Sequence, residues 1–416
     1  MRHECGGAVS RNHVVHLASL LFAFAMIAII GCSVAASQTL PSKCSLRAIS
    51  VSLSGPKCAR AWFDANLKIN EIQTIGTAES YKLRPSLQLM TLVKMGSPED
   101  ARQIDFSEPA ISKQLDSGAR SLEFDIAYDP KGGLYANPSG AMMAMEFLSD
   151  SYTKAMSSAG FKVIHILDID FNSSCWTLKD CLQSVADWSR RHPDHLPIVI
   201  ALRSNDDATA MPHATQPAKF TATTFDALDA RILTVFRRDE LITPDIVRGN
   251  FPTLREAVLA HNWPALGASR GKVVFLLDDD AGKVALYRGA RSSLEGRLMF
   301  INTDENSSAA GFVTVENPVT AFDKITADVK AGFIVRTFAD ANAQEARSNI
   351  VSRRDKALAS GAQIISTNFL VPDMQIGKYA VHLSQGQSGR CDPVPSLAKC
   401  SGADVESGRA LPLAGR

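Results

Sequence analysis

Lys272-Val273-Val274-Phe275-Leu276-Leu277-Asp278 is apolar at every internal position and has no polar alternation. A strand with one wet face alternates apolar and polar residues, whereas a strand covered on both faces does not. This stretch therefore predicts a stave buried in a parallel sheet. Seven more runs, at 71–76, 120–126, 162–167, 197–202, 297–301, 332–336 and 362–366, bring the expected strands to eight. Helical patterns lie between them. Residues 177–192 place Leu178, Cys181, Leu182, Val185 and Trp188 on one face, with Thr177 as N-cap. Residues 224–236 carry Phe225, Leu228, Ile232, Leu233 and Val235, and 342–360 predict a long charged helix stopped by Gly361. Eight strands alternating with helices predict an α/β protein of the (β/α)8 barrel type. The open doubly wound alternative lacks its Gly-x-Gly-x-x-Gly turn after the first strand.

The chain has 416 residues, 44 basic and 43 acidic, for a net charge of +1. Nucleic-acid binders carry a basic excess, so no nucleic acid is expected as a partner. Residues 1–36 have the form of a signal peptide: Arg2 and Arg11, the apolar run 14–30, then Val34-Ala35-Ala36. A membrane anchor and a lipoprotein box at Ile30-Gly31-Cys32 are the alternatives. Secretion or a periplasmic location follows from the leader. Cleavage leaves Cys44, Cys58, Cys175, Cys181, Cys391 and Cys400, an even set in three local couples. Local pairing predicts Cys44–Cys58, Cys175–Cys181 and Cys391–Cys400, although six cysteines allow fifteen connectivities. Residues 37–416 are then one barrel domain with Cys-bounded extensions at both ends.

A barrel of this kind does its chemistry at the C-terminal ends of its strands. Glu123 and Asp125 share a face of the second run, His165 sits on the third, and the fourth ends at Arg203. Two carboxylates and a histidine suit an oxygen-ligand metal site with a general acid beside it. Salt bridging of the carboxylates with Arg120 or Arg203, and a structural histidine, are the plain alternatives. Asp278-Asp279-Asp280 is expected to be a solvated loop, since adjacent residues on a turn seldom converge on one ion. Trp62, Trp176, Trp188 and Trp263 are too scattered to form a membrane-contact patch.

Asn70-Glu71-Ile72-Gln73-Thr74-Ile75-Gly76-Thr77-Ala78-Glu79-Ser80-Tyr81-Lys82 resembles the opening motif of the secreted, calcium-dependent phosphoinositide phospholipase C family. The resemblance continues, in order, through 114–126, 160–175, 192–206, 271–278, 296–302, 333–340, 357–368 and 390–400. It implies a phospholipase C-like (β/α)8 barrel that cleaves a phosphodiester of inositol phospholipids with calcium. It also implies a phospholipid headgroup or inositol phosphate as ligand, with peripheral membrane contact. In the family's reaction the inositol 2-hydroxyl attacks phosphorus, calcium stabilises the developing charge, and two histidines assist. The matching positions are Ala78 and His165 for the histidines. For the calcium ligands they are Glu79 in place of asparagine, Glu123, Asp125, and Arg203 in place of glutamate. Family context places Arg336 and Asp278 near the headgroup, and a pair of rim salt bridges is the other reading. Phe338 stands where a basic residue is common. Alanine at 78 offers no donor and Arg203 no ligand, so calcium binding is in question and impaired catalysis is expected. The expected product is a cluster in which the Arg203 guanidinium bridges Glu79, Glu123 and Asp125. A headgroup-binding or structural envelope protein without catalysis, and a phosphodiesterase redirected to another substrate through His165, are the alternative functions.

Overall fold

The computed structural model describes residues 55–411 apart from 342, 397–399 and 401. The expected signal peptide and Cys44 lie outside the described residues, while Cys58 is disulfide-bonded. The strands are β1 (Ile72–Thr77), β2 (Ser121–Asp129), β3 (Gly160–Val163), β4 (Ile198–Ser204), β5 (Val273–Leu277), β6 (Met299–Ile301), β7 (Phe312–Thr314), β8 (Ile334–Phe338), β9 (Ile364–Thr367) and β10 (Arg390–Cys391). Eight of them run parallel in the order β6-β5-β4-β2-β1-β9-β8-β7. One parallel bridge, Asn302 to Phe312, joins the two outer staves and closes the ring. Thr314 N–H donates to Asn302 Oδ1 across the same join at 2.9 Å. The fold is the expected (β/α)8 barrel.

Two joins in the ring are thin. β6 meets β7 at that single bridge, and β1 meets β2 at the single register pair Gly76–Ser121. Every other join has at least three pairs. Gly76 explains the second: a Cβ there would sit 2.4 Å from Ser121 Cβ, so only glycine lets these staves touch. Below the mouth the interior is filled by Ile72, Thr74, Val199, Phe312, Ile334 and Ile364, leaving a void of 30 Å³.

The stave expected at 162–167 is not in the barrel. Residues 160–163 instead form β3, antiparallel on β2, pairing Gly160 with Asp129 and Val163 with Ile126. β2 runs past its barrel neighbours to Asp129, and the returning chain covers its free edge. The eighth place is taken by β7, three residues too short to stand out in the sequence. The long helix expected at 342–360 is two short ones, Gln344–Ser348 and Ser352–Ala359, divided at Asn349, whose φ is +49°. Asn and Ser bond to nearby backbone as readily as they extend a helix, which ends the first segment there. The helix at 177–192 is found as Leu178–Arg191, with Thr177 Oγ1 accepting from Asp180 N–H. That at 224–236 is found as Ala222–Leu233. The disulfides Cys175–Cys181 and Cys391–Cys400 are formed as expected.

Candidate functional site at the barrel mouth

The C-terminal strand ends bring Glu79, Glu123, Asp125, His165, Arg203, Asp278 and Arg336 to one mouth. Glu123 and Asp125 point inward because they are two apart on β2, and parallel register sets Arg203 beside Asp125. Glu79 follows β1 in a tight turn with φ +48°, closed by Lys82 N–H donating to Glu79 O at 2.8 Å. A left-handed glutamate costs of the order of 1–2 kcal/mol, and strain of this kind gathers at functional sites. His165 arrives from the loop after β3, not from a stave.

His165 is held between two carboxylates. Its Nδ1 lies 2.8 Å from Asp170 Oδ2 and its Nε2 lies 3.4 Å from Glu79 Oε1. Burial opposes charge on the ring, yet Glu79 and Asp170 outweigh it and push its pKa up to about 9. At neutral pH the imidazole is an imidazolium, a proton donor on both nitrogens. Asp170 also takes the ammonium of Lys82 at 3.0 Å, with both side chains fully buried. Lys82 is anchored further by Ile104 O at 2.7 Å and Phe106 O at 3.2 Å. Burial raises the Glu79 pKa against the pull of His165, and Glu79 Oε2 has no hydrogen-bond partner.

The other half of the mouth is organised by Arg336. This side chain is 1% exposed and places one guanidinium between two acids. Nη2 bonds Glu123 Oε2, Nη1 reaches Asp278 Oδ2 at 2.6 Å, and Nε donates to Ser366 Oγ at 2.9 Å. Thr314 Oγ1 donates to Asp278 as well, at 3.0 Å. The rim-salt-bridge reading of Arg336 and Asp278 thus matches their contacts. The Phe338 ring lies 4.6 Å from the Arg336 guanidinium and lids it.

Arg203 departs from expectation. Its Nη1 is 3.9 Å from Glu123 Oε1, its side chain is 53% exposed, and no other ion pair to it occurs among the described residues. It does not bridge Glu79 and Asp125. The cation that saturates the acids is Arg336, already seated on Glu123, which leaves Arg203 free to turn outward. Asp125 accepts instead from Tyr81 Oη at 2.9 Å. Burial and the neighbouring Glu123 raise its pKa. Burial likewise works against charge on Glu123, but Arg336 and Arg203 together hold its carboxyl below the usual range. Ala78 is buried and brings no polar side chain.

These residues do not fit calcium as they stand. Calcium takes six to eight oxygens. Here one Glu123 oxygen is occupied by Arg336, the other faces Arg203, and Asp125 is committed to Tyr81. Among the described residues no group of three or more His, Cys, Asp or Glu is disposed to hold a metal. The acidic run beside the mouth is also dispersed. Asp278 serves Arg336, Asp279 accepts from Ser204 N–H at 2.7 Å, and Asp280 caps the helix Ala281–Arg288. Sequence reasoning missed Lys82, Asp170 and Tyr81 as site residues. Tyr81-Lys82 ended a motif and Asp170 followed His165, but no spacing rule pairs an ammonium with an acid 88 positions on.

Several solved structures resemble this one. They include the calcium-dependent phosphoinositol-specific phospholipase C of a Gram-negative Pseudomonas species, at 16% identity and TM-score 0.48, covering 78% of this chain and 96% of that one. The phosphatidylinositol-specific phospholipase C of Streptomyces antibioticus gives 16% and 0.47, covering 76% and 98%. A glycerophosphoryl diester phosphodiesterase of Parabacteroides distasonis gives 9% and 0.34, covering 82% and 99%. No curated protein matches by sequence. The family model for Ca²⁺-dependent phosphoinositide phospholipase C matches residues 67–393, from the strand-opening segment to the last disulfide. That span takes in every stave of the barrel and every residue of the mouth described above, and the chain belongs to that family.

Proposed function

We propose that this family member binds a phosphorylated headgroup at the barrel mouth without turning it over by the calcium route. The observation that carries the proposal is Arg336, buried between Glu123 and Asp278 where free oxygens would have to face an ion. Arg203 then serves as the recognition group, a half-exposed guanidinium able to bind two phosphate oxygens at once. His165 as imidazolium adds a second positive charge at the same mouth. Hydrolysis lacks two parts: Ala78 supplies no donor at phosphorus, and Arg203 supplies no base. One missing donor alone lowers a rate by about 10²–10³.

A lipid-borne headgroup is favoured by the segments around the mouth. Leu87, Met142, Met145 and Phe147 are 80%, 57%, 86% and 100% exposed, on chain that follows β1 and β2. Ser86 Oγ donates to Glu146 at 2.6 Å and holds those two segments together. With the disulfides, this supports an exported protein acting at a membrane surface.

The test is calorimetry and melting of the purified protein with calcium, beside a phosphatidylinositol cleavage assay. Calcium should produce no melting shift, whereas a true site at a hundredfold excess over Kd would add about 2.7 kcal/mol. Calcium-dependent cleavage at ordinary enzymatic rates would overturn the proposal. A second reading, hydrolysis of another phosphodiester, rests on the His165 clasp alone. It requires turnover of an activated diester that disappears in His165→Asn.

A further inference from the structure

A cavity of 560 Å³ that shares no lining residue with the mouth lies between β3, the helix Asp150–Ser157 before it and the start of the helix Leu178–Arg191. Its wall carries Lys154, Lys162, Lys179 and Arg231 against a single acid, Asp180. Asp180 is already engaged, with Oδ2 accepting from Thr177 Oγ1 at 2.5 Å. Among the described residues none of the four cations has a carboxylate within ion-pair distance, although most basic side chains of the barrel rim and base do.

Lys162 is the most telling of them. Its side chain is wholly buried, and its ammonium is held by Ala155 O at 2.8 Å, Ser158 O and Ser158 Oγ at 3.2 Å. All three are neutral acceptors, whereas buried charges are ordinarily paired with an opposite one. Burial pushes its pKa down, and the more distant Asp129 and Asp180 only partly offset this. The Arg231 guanidinium lies over Gly160, whose Cβ would be 3.5 Å from Nη2. Trp176 lines the same cavity, and its buried indole N–H has no acceptor. Buried indoles normally find one. Three cations without a carboxylate, Lys154, Lys179 and Arg231, together with the unsatisfied indole donor and a hollow of this size, favour an anionic acceptor.

We propose that this cavity is an anion site for a phosphate monoester group, separate from the barrel mouth. A tetrahedral dianion matches it best, because it offers acceptors in several directions to donors arriving from three chain segments. A planar carboxylate would satisfy two of them. The monoester can come from a lipid or from a soluble metabolite, and the site's chemistry is the same for both.

Titration calorimetry with inorganic phosphate tests the site on the whole protein and its variants. Lys179→Gln with Arg231→Gln should weaken phosphate by about tenfold or more, the loss expected for a charge-assisted bond. Arg203→Gln should remove only the phosphate binding of the mouth and leave a second isotherm that depends on Lys179 and Arg231. Lys154→Gln alone gives a smaller loss in the same direction, and unaltered melting temperatures confirm that the variants fold. Phosphate binding that survives the double variant in the Arg203→Gln background, that disappears altogether with Arg203→Gln alone, or that is absent from the unmodified protein overturns the proposal. The source is then read with phosphatidylcholine vesicles, with and without phosphatidic acid. Recruitment that depends on phosphatidic acid and is lost in the double variant marks a lipid ligand; phosphate binding without recruitment marks a soluble one. Neither arm depends on calcium or on cleavage, so it stands or falls apart from the function proposed for the mouth.

Discussion

The two ends of the barrel handle charge differently. At the base, where the strands begin, three acids each have a close guanidinium, although Arg60 also lies 3.9 Å from Asp64, and Asp392 keeps an unpartnered oxygen and a pKa raised by burial to about 8. Arg120 Nε bonds Glu406 Oε2 at 2.6 Å, Arg270 Nε bonds Asp64 Oδ1 at 2.5 Å, and Arg60 Nη2 lies 2.7 Å from Asp194 Oδ1. The Arg60 hydrogen bond holds Asp194 below the usual carboxylate range; Arg120 does the same for Glu406 against the cost of burial. His195 is neutral and satisfied on both nitrogens, by Ser189 Oγ at 2.7 Å and Leu196 O at 2.5 Å. Burial drives its pKa down to about 4. At the mouth the shared groups are deeply buried. Arg336 serves two acids, Asp170 serves two cations, Glu79 keeps an unpartnered oxygen, and the Glu79 and Asp125 carboxyls sit above their usual range. Close guanidinium pairing suits a part that only has to be stable. Several unresolved charges converging on one cluster of strand ends suit a part that receives something.

The largest expected effect comes from removing the shared cation. Arg336→Met strands Glu123 and Asp278 together in a buried site and should cost about 3–5 kcal/mol by urea denaturation. Arg120→Met at the base leaves a partly exposed Glu406, and should cost about 1–3 kcal/mol. Equal losses would break the contrast. Acidity separates the ends next, with opposite signs. His195 has a folded pKa below its unfolded value, so its contribution is complete above pH 6.5 and lost as pH falls toward about 4, by about 3 kcal/mol. His165 has a raised folded pKa, so its contribution is complete below pH 6.5 and lost as pH rises through about 9. Denaturation profiles of His195→Gln and His165→Gln should each flatten only their own limb. The smallest effect sharpens the mouth alone. Glu79→Gln should lower the His165 pKa, seen by NMR titration, by about one unit, equivalent to ~1.4 kcal/mol. Stability should change by less than about 1 kcal/mol, since the amide keeps the side chain's shape and an acceptor for His165. A His165 pKa that stays at about 9 would assign the whole shift to Asp170.

Much of this was legible in the order of residues. Uninterrupted apolar runs such as 273–277 identify staves, because burial on both faces removes alternation. Residues two apart on a strand identify Glu123 and Asp125 as neighbours. Local cysteine spacing identifies the two described disulfides. The rest failed for physical reasons. β3 has the composition of a stave but pairs antiparallel with an overhang, a distinction made by a partner strand and not by its own side chains. β7 is too short to carry a period. Above all, sequence order names Arg203 as the neutralising cation because it stands where an acid is expected. Which of two arginines reaches Glu123 depends on side-chain reach across the barrel, and Arg336, entering from the opposite wall, gets there first.

The two thin joins divide the ring into halves. β2, β4, β5 and β6 form one four-stranded sheet, and β7, β8, β9 and β1 form the other, each held by broader registers than the joins between them. Glu123 and Asp278 belong to the first half and Arg336 to the second, so the bidentate guanidinium fastens across the division. The buried ion cluster is therefore also a latch between two half-barrels. A chain cut in the connection between β6 and β7 would leave two fragments able to find each other again through it. Amides at Arg120, which donates to Ile75 O across the β1–β2 join, and Phe312 at the β6–β7 join would be the first of the barrel to exchange with solvent when the latch opens.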